Sequence, residues 1–531
     1  MAKKLTAFAV AVILMFSVFT VPASAKTLEI PQSVTNTVYS VLDKVVSVLL
    51  DYLNKFWPGY DGKWDNDDSY QSKDFYTGNN NFGSEATSEN KWLLGYAGAS
   101  LLDGLDIMNG KFYLAGGLEA IKGRAPTEIL DDQRVRVFAL SDGVSGTVLY
   151  AAIDGFGISR GDVQEIRNRI SDFAKQNGIV SVNVSVLHQH SCIDTLGMGV
   201  PLATALILNT GNAAIGEKLD AIKIQKNKQF MENLFNVTVD CMKKAVNDMK
   251  SGSLSYSKAD IGEYIHDKRT PYFCDENIHR LRFTPDDGSS ETWILEAGIH
   301  PVSFGASTDK LTADFPYYIE KNINETANAN VVYIQGAELA ITTDKTLTSV
   351  DGASSLENAK SYANAIAEKV KAINSEEQLS PTLGVTHSEV KLDVTNGILT
   401  LATREDILNA VIVKDSGKYK MVTEIGYMEL GGSVGVFLCP GEFEAGIIYD
   451  GAVASANESW SGESWDFAPL ESFTGCDNIM VFGLCNDQAG YVLTDNAYRS
   501  LFTENEEVNI VSKTAGSTFT RAYIDLIQNV K

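Results

Sequence analysis

The feature that most restricts the fold is a strand–helix–strand succession. Thr147–Ile153 (TVLYAAI) is a short apolar run, with the length and composition of a buried strand. Residues 162–177 follow, with Val163, Ile166, Ile170 and Phe173 at helical spacing. Next, Val182, Val184 and Val186 alternate with Ser181, Asn183 and Ser185, the period of a strand. Strand, helix, strand in that order predicts a βαβ unit and an α/β fold class. Amphipathic helices are predicted over 229–250 and 355–374, and strands over 293–299, 331–334 and 435–438. No internal repeat is visible.

The rest of the chain sets the compartment and the domain limits. Lys3 and Lys4 precede an almost wholly apolar run from Leu5 to Val21, and Ala23-Ser24-Ala25 supplies a small-x-small cleavage pattern. This reads as a cleaved Sec-type signal peptide over 1–25, a mature start near Lys26 and a secreted protein. Residues 34–57 carry one apolar stripe (Val34, Val38, Val41, Val45, Val48, Leu49, Tyr52, Phe56), fit for a helix packed against the main domain. The helix lacks the basic polar face of a membrane-surface helix. Residues 61–90, rich in Asp, Asn, Ser and Gly, read as a linker or mobile surface segment. Segment 26–91 is thus an amphipathic helix plus polar linker, and 92–531 is the main domain. A net charge of −24 opposes nucleic acid as a partner. None of the six cysteines forms a C-x-x-C pair, which leaves little basis for a cysteine-built zinc site. Several free, buried thiols are expected.

Six histidines are present: His188, His190, His266, His279, His300 and His387. His188 and His190 fall on the same face of the strand that carries Val182, Val184 and Val186, just where that strand ends. Strand ends are where open α/β sheets place ligand sites. Taken alone, this H-x-H pair fits a two-point metal grip and two hydrogen-bonded edge histidines equally well. His300 ends the apolar run 293–299 and precedes Pro301, so two strands finish in histidine. His266, His279 and His387 have no such setting and read as surface or satisfied core residues.

Leu187-His188-Gln189-His190-Ser191 resembles the THTHSGPGG signature of neutral ceramidases, a family of zinc amidases. Asp131-Asp132, the strand Arg134-Val135-Arg136-Val137-Phe138 and Asp154-Gly155 resemble the segments that precede that signature. Gly298-Ile299-His300-Pro301-Val302-Ser303 is similar to the HPTS motif, with Ala313-Asp314 at the acidic turn that follows. Tyr333-Ile334-Gln335-Gly336-Ala337 is similar to the QGA strand end, and Pro440-Gly441-Glu442-Phe443 to PGEF. Gly483-Leu484-Cys485-Asn486-Asp487 with Ala489-Gly490-Tyr491-Val492 resembles GLANDYAGYV. These short motifs run in the family's order from Trp92 to Tyr498.

The resemblance implies mixed sheets with packed helices in a zinc hydrolase domain. It implies Zn2+ held by His188, His300, Glu442 and Tyr491, with His190 meeting the developing oxyanion or the leaving amine, and Arg269 facing the scissile amide. It implies a lipid amide as the partner, met during transient contact with a membrane surface; no protein partner is expected. This chain departs from the family at Cys192-Ile193-Asp194-Thr195, where the family has GPGG, so an altered substrate mouth is expected. It departs again at Leu339-Ala340-Ile341-Thr342, in place of G-D-x-S-P. A second family tyrosine falls near Phe502 or Thr503, and the chain ends where longer members begin a C-terminal β-sandwich. Two readings follow: an amidase acting on ceramide or a related N-acyl lipid, or a non-catalytic module that keeps the fold and binds lipid.

Overall fold

The computed structural model describes residues 41–45, 48, 64–116, 123–198, 227–305, 308–404, 408–500, 507 and 509–531. The signal segment, and residues 34–57 apart from 41–45 and 48, lie outside the described residues. A large sheet takes its strands from the first two-thirds of the domain: β1 (Trp92–Ser100), β2 (Arg134–Ser141), β3 (Thr147–Ile153), β4 (Ile179–Val186), β5 (Lys250–Asp260), β6 (Asn277–Pro285), β7 (Thr292–Ala297) and β8 (Asn330–Gln335). The order across the sheet is β8-β7-β6-β5-β1-β2-β3-β4. The end pairs β7/β8 and β3/β4 are parallel, and the strands between are antiparallel. A second sheet orders β9 (Leu383–Asp393), β10 (Lys418–Leu430), β11 (Val434–Leu438) and β12 (Asn478–Phe482), the last two parallel.

Alternation along the strands builds the layers. The odd residues Val135, Val137, Leu149 and Ala151 pack under helices α1 (Arg160–Gln176) and α2 (Lys228–Asn247). The even residues Phe138, Leu140, Val148 and Tyr150 face the second sheet instead, meeting Val436, Leu438 and Phe482. With both faces covered, the strands read as continuous apolar runs rather than alternating ones, which is why β3 was legible. Tyr150 and Phe482 meet edge to face across the two sheets, centroids 5.0 Å apart. Helices α3 (Asp314–Ala327) and α4 (Ser355–Lys371) extend the same core beside β8. Helix α5 (Ala515–Gln528) covers the outer face of the second sheet through Phe519 and Tyr523. The result is α/β with mixed sheets between helical layers, as expected.

A wide twisted sheet coils, and here its two edges are tied together. Residues 483–486 run out of β12 between them. The Gly483 amide donates to the Gln335 carbonyl on the β8 edge at 2.7 Å. The Asn486 amide donates to the Val184 carbonyl on the β4 edge at 2.7 Å, and Asn486 Oδ1 accepts from the Val184 amide at 2.9 Å. Only glycine fits at 483, where a Cβ would stand 2.6 Å from the Gly336 carbonyl oxygen.

All six cysteines are free, four of them buried. His279 is buried between Tyr256 and Asp275, His387 is buried against Ser181 and Glu424, and His266 is exposed. Among the described residues no helix is long and apolar enough to cross a membrane.

One expectation needs correcting. The polar stretch within 61–90 is not a free linker where it is described. Gly78 bridges Thr386, and the Asn79 side chain donates to the Leu383 carbonyl (2.9 Å) and accepts from the Val385 amide (3.0 Å). Phe82 stacks on Tyr427. The asparagines that suggested a loop use their amides to strap the free edge of β9, a use that composition does not reveal. Asn79→Ala should therefore lower stability by about 1–3 kcal/mol, the cost of leaving part-buried backbone groups unpaired. Urea unfolding checks this; a midpoint equal to that of Glu89→Ala, at an exposed neighbouring position, would show the segment to be dispensable.

Candidate metal centre

Five polar side chains leave the ends of parallel strands and meet. His188 follows β4, His300 follows β7, Glu338 follows β8 and Glu442 follows β11, while Tyr491 closes the loop that leaves β12. Glu442 and Tyr491 are opposite one another in a two-residue parallel pair, Glu442–Phe443 with Tyr491–Val492. Gly441 allows that approach, since a Cβ there would lie 2.5 Å from the Gly490 carbonyl oxygen. Several non-glycine residues around the site hold left-handed backbone: His188 (φ 63°), Ala340 (φ 60°), Leu484 (φ 50°) and Asn486 (φ 65°). Such conformations cost free energy and persist where the surroundings over-determine them.

The histidines are oriented by the backbone. His188 Nδ1 is 2.6 Å from the Phe156 carbonyl oxygen, and His300 Nδ1 is 2.8 Å from that of Ile341. A carbonyl can only accept, so each Nδ1 carries a proton and donates, and the Nε2 atoms are left to face the centre. Both Nε2 atoms turn toward Glu442, whose Oε2 lies 3.5 Å from His188 Nε2 and accepts from His300 Nε2 at 3.0 Å; a bound metal would take the place of that proton. The Tyr491 hydroxyl is 3.4 Å from His300 Nε2. Gln488 holds the other oxygen of Glu442, donating from Nε2 at 3.2 Å. Imidazoles whose far N–H groups are tied to carbonyls, facing a carboxylate, are the arrangement found around bound metals.

His190 behaves differently. Its ring stands 5.0 Å from that of His188 and 6.0 Å from that of His300. Both ring nitrogens are shielded from solvent without a hydrogen-bond partner. Burial, with the neighbouring His188 and His300, holds its pKa well below the usual histidine range. Strand alternation does not bring the pair together, because β4 ends at Val186 and His188 is left-handed. A turn at the strand end does so, with Phe156 stacked on His188 and edge-on to His190.

Titratable groups crowd together here, and burial, with Glu442 beside it, pushes Glu338 up to about 8. Burial opposes protonation of both His188 and His300. His188 is held down to about 4, although Glu442 pulls the other way. For His300 the carboxylates of Glu338 and Glu442 outweigh burial and push it up to about 9. Two buried acids and a protonated imidazole thus meet at one point, where a divalent cation could take the place of the proton. One donor atom from each of His188, His300, Glu338 and Glu442 lies within 4.8 Å of the others. The nitrogen and oxygen donors suit a borderline divalent metal.

The sequence reading missed Glu338. Its only signal is position, directly after Gln335-Gly336-Ala337. Leu339-Ala340-Ile341-Thr342 in fact serves His300, which also donates its own backbone amide to the Ile341 carbonyl at 3.1 Å. Arg269 is not brought to the centre: its guanidinium pairs with Glu507 at 2.9 Å and donates to the Ala497 carbonyl. The side chain that lines the cavity from this loop is its neighbour, Lys268. Nor do Cys192, Ile193, Asp194 and Thr195 form the mouth. Ile193 is core, and Asp194 accepts from the Leu196 and Gly197 amides, leaving Leu196 and Met198 in the wall. Phe502 and Thr503 lie outside the described residues.

The centre opens into a cavity of about 470 Å³. His188, His190, His300, Glu442 and Tyr491 line one end. Leu399, Leu408, Ala410, Ile412, Met421 and Val511 give it an apolar wall.

No protein-family model matches the sequence, and no curated protein matches it. Solved structures that share the fold include two ceramidases. A neutral ceramidase from Pseudomonas aeruginosa superposes with a TM-score of 0.61 at 14% identity, over 83% of this chain and 74% of that one. A ceramidase described as complexed with C2 gives 0.62 at 11% identity, over 82% of this chain and 75% of that one.

Zn2+ titration of the purified protein should find about one ion per chain, as a single centre requires. His188→Ala or His300→Ala should abolish binding. Glu442→Gln should weaken it at least about tenfold, whereas Glu444→Gln should leave it unchanged, because Glu444 accepts from the Thr494 amide instead. Equal effects of the two glutamate substitutions would move the acidic donor elsewhere.

Proposed function

We propose that this chain is a secreted zinc-dependent amidase that hydrolyses the N-acyl bond of ceramide or a related N-acyl lipid, releasing a fatty acid and an amine. One observation carries the reading: two oriented imidazoles, a carboxylate and a phenol converge at the end of a cavity with an apolar wall, beside a histidine with no partner. The motif resemblance and the shared fold favour the same chemistry.

His188, His300, Glu442 and Tyr491 would hold the zinc. A zinc ion so held supplies Lewis-acid chemistry, polarising an amide carbonyl and making water more acidic. The chain's own residues do the rest. The apolar wall from Leu399 to Met421 receives an acyl chain and excludes water from it. Phe156 holds His188 by stacking and through its carbonyl, so that donor needs no reorganisation when substrate arrives. His190 is the proton carrier: a neutral imidazole has one acceptor and one donor nitrogen, and neither is engaged by protein. It can take a proton from water at one nitrogen and deliver one to the departing amine. Gln488 and the Tyr491 hydroxyl keep Glu442 from swinging toward substrate. Arg269, paired with Glu507, supports the loop that carries Lys268 rather than touching the amide.

His190→Ala separates catalysis from metal binding. The variant should keep its zinc and lose amidase activity about a hundredfold or more, the usual contribution of a positioned acid–base group. Activity is measured with a fluorescent ceramide and with shorter N-acyl amides. Zinc lost together with activity would make His190 a ligand. Wild-type protein that binds zinc and lipid but cleaves none of these amides would instead mark a non-catalytic lipid-binding module.

A further inference from the structure

Glu338 lies outside the motifs that carry the resemblance, and it is answered differently from the buried carboxylates of the scaffold's ion pairs. Asp154 and Glu320 are neutralised by Arg136, and Glu424 by Arg160 and Arg167. Glu338 is fully buried, and among the described residues no arginine or lysine pairs with it. Its Oε2 accepts from the Gln335 side-chain amide and faces His300 Nδ1 at 3.7 Å. Its Oε1 is buried with no hydrogen-bond partner at all. An unpaired carboxylate oxygen in the interior is among the costliest groups a fold can carry. One oxygen of this carboxylate lies within 4.8 Å of donor atoms of His188, His300 and Glu442, a span one ion can bridge.

We propose that Glu338 is a second carboxylate donor of the metal centre, binding through Oε1 while Gln335 and His300 steady Oε2. This rests on the metal-centre reading above. Two carboxylates and two neutral imidazoles balance the charge of a dication. A donor set richer in anionic oxygen also raises affinity for harder ions such as Mn2+ relative to a site with one carboxylate.

The test uses the full mature chain, wild type and Glu338→Gln, with Zn2+ affinity read by chelator competition and the ligand field by Co2+ absorption. The substitution should weaken Zn2+ at least ten- to a hundredfold, weaken Mn2+ by no less, and change the Co2+ spectrum. Thermal unfolding of the metal-free proteins guards against a merely structural role. Removing an unpaired buried carboxylate should leave the metal-free midpoint unchanged or higher, while the upward shift on adding Zn2+ shrinks. Unchanged Zn2+ affinity and Co2+ spectrum overturn the proposal, as does a lowered metal-free midpoint with unchanged affinity. Glu338→Asp, which keeps the charge but shortens the reach, should recover part of the affinity; if Glu338→Gln fails to fold, Glu338→Asp with wild-type affinity and spectrum overturns it. If His188→Ala and His300→Ala retain metal, the centre itself has been misread. If those two lose it while Glu338→Gln does not, only the role of Glu338 fails.

Discussion

His188 and His300 belong to strands near opposite edges of one large sheet, and their meeting depends on how that sheet closes. Residues 483–486 come from the second sheet, donate to the β8 edge at Gln335 and pair with the β4 edge at Val184. Backbone hydrogen bonds in a buried position are costly to lose, so this tie sets the distance between the strand ends. The same segment leads into Gln488 and Tyr491, which reach Glu442 and His300. Closure and site geometry are thus one feature, and the absent side chain of Gly483 is part of both.

Buried charge separates scaffold from site. Beneath the sheets, Arg136 bridges Asp154 and Glu320, and Arg160 and Arg167 share Glu424. Each is a carboxylate answered by a guanidinium in fixed geometry, as burial of charge demands. At the strand ends the carboxylates of Glu338 and Glu442 meet imidazoles, amides and a phenol instead. A protein interior tolerates such a surplus only where something positive completes it.

The departures from the resembled motifs also acquire a physical sense. The stretch after Gln335-Gly336-Ala337 carries Glu338 and the Ile341 carbonyl that sets the His300 tautomer. The stretch after His190 sends Ile193 inward and turns at Asp194, so Leu196 and Met198 reach the cavity. Sequence that looked like damage to a substrate mouth is instead packing and histidine support.

The sequence by itself determined the elements whose residues answer to local rules. β3 is legible as an apolar run because both its faces are covered, α1 by its helical spacing and β4 by its alternation of valine with small polar residues. It also determined which short motifs end strands, and through them His188, His300, Glu442 and Tyr491 as a group. It misjudged the Asn79 strap and overlooked Glu338, since an amide or a carboxylate takes its meaning from the partners that folding brings to it. It placed Arg269 at the centre, where the fold sets Lys268 in the wall and ties Arg269 to Glu507. Only the tertiary structure decided the approach of the two sheet edges, the tautomers of His188 and His300, and the isolation of His190. Those are distances and hydrogen bonds between strands remote in sequence, and no local period encodes them.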